Sequence, residues 1–215
     1  MAWPMNPWPS LQEARLLPVV MIDDAATADG LADAMVEAGC SVIEVVLRTE
    51  AALPAIERLA SRSDIVVAAG TVLSDVDVAR VVDAGADLVV TPGFDASVVD
   101  RCVVRGIPVL PGVGSAGDVM AARNAGLTAV KLFPAHLLGG PDMVMALSGP
   151  FPDMMFVPSG GVDRTSARAY AALPAVLAVS GSWMAPRDAL ASRDFTTIKR
   201  LVADAVAVVS KPRAA

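Results

Sequence analysis

Short runs rich in β-branched residues recur along the chain, at residues 18–22, 42–46, 65–69, 88–91, 107–110, 129–133, 154–157 and 176–179. Their starts lie roughly 20 to 25 residues apart, and each interval carries a helical pattern. That alternation is the signature of βα units feeding a parallel sheet. The punctuation agrees: Thr27, Thr49, Ser74 and Asp163 stand where helices are expected to begin, and Gly39, Gly85, Gly106 and Gly126 where four of them end. Eight such units in 215 residues favour an α/β fold of the closed (β/α)8 TIM-barrel kind over an open doubly wound sheet. The chain is short for a barrel, so its loops should be brief. Residues 1–16 read as an N-terminal extension forming an extra helix, with Ser10 as cap and residues 11–17 packing under the barrel. Residues 195–209 read as a closing amphipathic helix. No linker or low-complexity stretch interrupts the pattern, so 1–215 reads as a single domain.

A chain that is 54% hydrophobic raises the question of a membrane, but parallel strands buried on both faces produce the same composition. The longest stretch without a charge, residues 169–186, is broken by Pro174 and by Ser180-Gly181-Ser182, so no span is expected. Three prolines among the first nine residues, and no basic residue before Arg15, do not make a signal peptide. These features point to a soluble, cytoplasmic protein with no membrane partner. A net charge of −6 argues against a nucleic-acid surface, which needs clustered cations. Cys40 and Cys102 match no metal spacing and read as buried thiols. The basic residues divide into 14 arginines and three lysines, Lys131, Lys199 and Lys211.

Active sites of such barrels lie at the C-terminal ends of the strands. In the second strand Glu44 sits inside an apolar run, and alternation puts Glu44, Val46 and Arg48 on one face, pointing into the barrel mouth if Ile43 and Val45 pack on the helices. In the sixth strand Lys131 is enclosed in Ala129-Val130-Lys131-Leu132-Phe133 and also points inward. Inward layers are drawn from alternate strands, so Glu44 can face Lys131. Two readings of Lys131 compete: a lysine that snorkels to a structural partner, or a nucleophilic amine. An arginine-rich chain that keeps lysine at its most enclosed basic position favours the amine, since lysine alone can act neutral and attack a carbonyl. Glu44 is then the proton carrier, against the plainer role of a core carboxylate paired with Arg48.

The loops after the last two strands contain Ser159-Gly160-Gly161 and Gly181-Ser182, where exposed backbone N–H groups suit a phosphate. Thr71 is placed to bind a substrate carboxylate, because capping of the next helix falls more naturally to Ser74. The lone histidine, His136, has no acidic partner at metal spacing and reads as a rim residue. The methionines at 143, 145, 154 and 155 read as core or subunit-interface packing.

Seven motifs in order, Glu44-Val45-Val46-Leu47-Arg48-Thr49, Ala69-Gly70-Thr71-Val72-Leu73, Thr91-Pro92-Gly93, Leu110-Pro111-Gly112-Val113, Lys131-Leu132-Phe133-Pro134-Ala135, Ser159-Gly160-Gly161 and Gly181-Ser182-Trp183, resemble the KDPG/KHG aldolases. These are class I enzymes that cleave 2-keto-3-deoxy-6-phosphogluconate and 4-hydroxy-2-oxoglutarate. The resemblance implies Lys131 as Schiff-base lysine, Glu44 as acid–base residue, Arg48 and Thr71 on the pyruvyl carboxylate, and Pro92 and Phe133 lining the pyruvyl pocket. It further implies Ser159, Gly160, Gly161, Gly181 and Ser182 on the phosphate of a phosphorylated keto sugar acid, a homotrimer, no cofactor and no metal. Ser159 and Ser115 stand where threonine is expected, Ala68 where glycine is, and His136 where an acidic or polar residue is common. Those departures leave open a galactonate-derived substrate. A phosphosugar isomerase or epimerase, or an idle binder of sugar-acid phosphates on the same barrel, would leave the lysine and glutamate unexplained.

Overall fold

A computed structural model describes residues 8–210. Its strands are β1 (Leu16–Val20), β2 (Val42–Val46), β3 (Val66–Gly70), β4 (Leu88–Val90), β5 (Val109–Leu110), β6 (Gly112–Val113), β7 (Ala129–Leu132), β8 (Met155–Pro158) and β9 (Val179–Gly181). Every pairing is parallel, in the orders β5-β4-β3-β2-β1-β9 and β6-β7-β8. The last strand thus lies beside the first, with Leu16 opposite Val179 and Pro18 opposite Gly181. Only Pro111 separates β5 from β6; its carbonyl accepts from Lys131 N at 2.8 Å. An isolated bridge joins Phe156 to Val176. The chain is an α/β protein built on parallel strands.

Helices α1 (Trp8–Ala14), α2 (Ala28–Glu37), α3 (Ala52–Ala60), α4 (Asp75–Asp83), α5 (Ala96–Arg105), α6 (Ala116–Asn124), α7 (Pro141–Ser148), α8 (Arg164–Ala171), α9 (Arg187–Ala191) and α10 (Phe195–Val209) complete the described residues. The closing helix has the bounds expected from its periodicity, and it buries Ile198, Val202, Ala205 and Val209, a stripe at helical spacing. All five residues of β2 are buried, as both-faced packing requires. The extra helix precedes β1 and buries Leu11 and Ala14. Ser10 lies within it rather than capping it, and Leu16 and Leu17 belong to β1. Residues 1–7 of the expected extension lie outside the described residues. The first strand also starts two residues before Pro18, and the last is centred on the Ser-Gly pair rather than on 176–179.

Ser74 accepts from Asp77 N and caps α4, and Asp163 forms a capping box with Ser166 at α8. Thr27 and Thr49 do other work. Thr27 Oγ1 donates to Asp24 O at 2.7 Å, and Thr49 Oγ1 donates to Ile22 O, tying the loop after β2 to the loop after β1. The glycines expected at helix ends, 39, 85, 106 and 126, all have φ between +69° and +86°, the left-handed turn that a side chain resists. Arg15, itself at φ +54°, donates to Val209 O at 2.6 Å and to Ala171 O at 2.5 Å, so one guanidinium satisfies carbonyls at the ends of both α8 and α10. Both cysteines are buried. Among the described residues no helix is long and apolar enough to cross a membrane.

Candidate active site

The strand ends carrying the predicted residues converge on one cavity of about 660 Å³. At its base Lys131 Nζ donates to Glu44 Oε1 at 2.9 Å, with the lysine 6% and the glutamate 0% exposed. The two residues come from β7 and β2, and the period-2 alternation that placed Glu44, Val46 and Arg48 on one face holds: all three line the cavity. Register fixes their depth, since Glu44 sits opposite Val19 on one side and Ala68 on the other, and Lys131 between Gly112 and Val157. Glu44 Oε2 is buried with no hydrogen-bond partner among the described residues, so one carboxylate oxygen holds the lysine while the other makes no such contact with them. The Lys131 ammonium also lies 5.6 Å from the centroid of the Phe133 ring, within cation–π range.

Glycines make room for this pair. A Cβ on Gly70 would fall 2.4 Å from Glu44 Oε1, and one on Gly112, beside Lys131, would fall 2.2 Å from the Pro92 carbonyl. Thr71, directly after Gly70, has φ +60°, an outlier for a β-branched residue. Such conformations persist where the surroundings impose them and cluster at ligand sites. Thr71 lines the cavity, and Ser74 takes the helix cap.

All eleven residues singled out from the sequence line the cavity: Glu44, Arg48, Thr71, Pro92, Lys131, Phe133, Ser159, Gly160, Gly161, Gly181 and Ser182. Gly160 and Gly161 have φ of +87° and +73°; side chains there would strike the Phe133 ring and His136. Trp183 closes over Gly181, where an added Cβ would lie 2.0 Å from the indole. His136 is exposed beside Gly161 and outside the lining. Met154 is core, Met143 and Met155 pack against it, and Met145 is exposed. Among the described residues no group of three or more His, Cys, Asp or Glu is placed to hold a metal.

Sequence reasoning missed Val19, Met21, Trp183 and Arg187 in the lining. Alternation along β1 was the available signal for Val19 and Met21. Arg187, five residues past Ser182, falls under the same rule about loops after the last strand that singled out the glycines.

A family model for KDPG and KHG aldolases matches residues 9–201. The chain is 41% identical over 196 residues to the 2-dehydro-3-deoxy-phosphogluconate aldolase of Pseudomonas aeruginosa, covering 91% of this chain and 89% of that one. The chain belongs to the KDPG and KHG aldolase family. Solved structures of the family superpose closely. The KDPG aldolase of Legionella pneumophila, with pyruvate captured as a covalent carbinolamine, has a TM-score of 0.90 at 34% identity, covering 94% of this chain and 98% of that one. The 2-keto-3-deoxy-6-phosphogluconate aldolase of Zymomonas mobilis, with 3-phosphoglycerate, gives 0.88 at 35% identity and covers 96% of each chain. The relatives are named as aldolases, which are lyases, so family membership agrees with the chemistry that a buried lysine–carboxylate pair can perform.

Proposed function

We propose that this chain is a class I aldolase that cleaves 2-keto-3-deoxy-6-phosphogluconate to pyruvate and glyceraldehyde 3-phosphate through a Schiff base on Lys131. The observation that carries it is the buried contact of 2.9 Å between Lys131 Nζ and Glu44 Oε1. A lysine held there can pass a proton to the carboxylate and attack as a free amine. Its nitrogen adds to the C2 ketone, and the carbinolamine loses its hydroxyl as water with the proton that Glu44 returns. The protonated imine then draws in the C3–C4 bonding electrons as the C4 hydroxyl gives up its proton to the freed Glu44 carboxylate. The resulting enamine takes a proton at C3, and water releases pyruvate and the lysine. Arg48 and Thr71 hold the carboxylate, Pro92 and Phe133 flank the pyruvyl group, and Ser159, Gly160, Gly161, Gly181 and Ser182 take the phosphate. The bound pyruvate and 3-phosphoglycerate of the two solved relatives support both halves of this assignment.

The test is borohydride reduction with pyruvate present. A reduced pyruvyl adduct is expected on the peptide containing Lys131, and its absence would sink the mechanism. A lactate dehydrogenase-coupled assay on the gluconate- and galactonate-derived acids and on 4-hydroxy-2-oxoglutarate then ranks the substrates.

The same proposal extends to the whole chain. The two sheets join as one closed (β/α)8 barrel in a single domain: β5 runs through Pro111 into β6, and the Phe156–Val176 bridge leads from β8 to the segment before β9. Exposed apolar side chains such as Leu73 and Val76 favour assembly with copies of the chain, the homotrimer expected of the family, working in the cytoplasm.

A further inference from the structure

Arg187 opens α9 and lines the same cavity as Lys131 and the two glycine loops. Its Nε donates to Asp23 Oδ2 at 2.7 Å and its Nη2 to Asp23 Oδ1 at 2.8 Å, a two-pronged fork that fixes the plane of the guanidinium. Asp23 lies just past β1, so the pair joins the loop after the last strand to the loop after the first; Arg187 lines the cavity, while Asp23 lies in an adjoining pocket that Arg187 also borders. A guanidinium has five N–H donors. Asp23 occupies the edge formed by Nε and Nη2, and the remaining three donors, on the Nη1–Nη2 edge, meet no protein acceptor among the described residues.

Stability does not explain the arrangement, because an ion pair whose side chains are 61% and 42% exposed contributes little to folding. A neighbouring pair sharpens the contrast. Arg193 meets Asp24 through a single N–H at 2.9 Å, and neither residue lines the cavity. Of these four residues only Arg187 borders the ligand space, and the edge its fork leaves free has the spacing of two phosphate oxygens.

We propose that Arg187, held by Asp23, is a specificity-determining residue that binds the distal phosphate of the substrate, adding a side-chain cation to the N–H groups of the glycine loops. The identity of the ligand rests on the aldolase reading; the anion contact does not. With its carboxylate turned to the other edge, the pair is neutral as a whole, so it favours a ligand that engages both free N–H directions over one that merely carries charge.

The test compares wild type, Arg187→Gln and, as a matched surface control, Arg193→Gln. KM is measured for 2-keto-3-deoxy-6-phosphogluconate and for the same acid without phosphate, and inorganic phosphate binding is measured by calorimetry. Arg187→Gln is expected to raise KM for the phosphorylated acid about tenfold, the scale of one charge-assisted hydrogen bond, and to weaken inorganic phosphate similarly. KM for the unphosphorylated acid should move less than about twofold, because that ligand has no group to lose the contact, and the control should match wild type. Equal losses on both acids, unchanged values on the phosphorylated one, or an equal effect from Arg193→Gln would overturn the assignment. If wild type releases pyruvate from neither acid, the aldolase reading fails. In that case weaker phosphate binding in Arg187→Gln still supports the anion contact, and unchanged or undetectable phosphate binding overturns it.

Discussion

A methyl group at position 70 would stand 2.4 Å from Glu44 Oε1, so the carboxylate keeps its place against Lys131 only while that position has no side chain. Two substitutions separate the chemical role of Glu44 from its placement. Glu44→Gln keeps the shape and removes the proton carrier, and kcat should fall roughly 10²- to 10⁴-fold, the usual worth of general acid–base transfer. Gly70→Ala leaves Glu44 unaltered but drives its carboxylate aside, and a loss on the same scale is expected while the far-ultraviolet circular dichroism is retained. Full activity of the alanine variant would show that the contact in the structure does not govern turnover. Glu44 and Lys131 were legible in the sequence because an ionisable group inside an apolar run has few places to go. The positive φ of Thr71 was not, since a β-branched residue gives no local sign of it. Nor was the Asp23–Arg187 fork, whose partners are 164 residues apart and become neighbours only when β9 pairs with β1.

At the scale of elements, the caps most directly support the ligand loops. Asp163 and Ser166 exchange hydrogen bonds at the start of α8, two residues after Gly161. Asp163→Ala removes the acceptor, and a fall in melting temperature of about 2–4 °C is expected by thermal denaturation. No change would mean that neighbouring groups hold the helix start without it. The bounds of α10 could be read because fifteen residues repeat the apolar period several times over. Short strands gave less to read. Pro18 looked like a strand start but lies within β1, opposite Gly181. The final strand was displaced toward 176–179 because Ser180 and Gly181 have weak strand propensity, although their backbone pairs with β1. Thr49 resembles a cap in sequence, yet its hydroxyl is drawn to Ile22 O, a contact that exists only once two loops are brought side by side.

Across the whole molecule, burial controls the response to alkali. It pushes the Cys40 thiol up to about 11 and the Cys102 thiol up to about 12, from an ordinary value of 9.0. Unfolded thiols ionise first, so between pH 9 and about 11 to 12 the unfolded chain binds fewer protons than the folded one. Stability therefore falls as pH rises through that window and is unaffected by these groups below it. The melting temperature should decline above pH 9, and less steeply in the Cys40→Ala, Cys102→Ala double variant than in wild type; equal slopes would remove the thiols as the cause. That both cysteines are buried was evident from their apolar neighbours, while the size of the effect needed the packed interior.

The pairing of β1 with β9 also has a consequence for synthesis. Leu16–Val20 leaves the ribosome well before Val179–Gly181, so a growing chain carries the first strand with one edge unpaired until the last one emerges. The carbonyls of Ala171 and Val209, which Arg15 binds in the finished molecule, arrive just as late. An apolar strand edge left open for that long is an invitation to pair with another nascent chain. Until the last strand emerges, that open edge is exposed to such pairing.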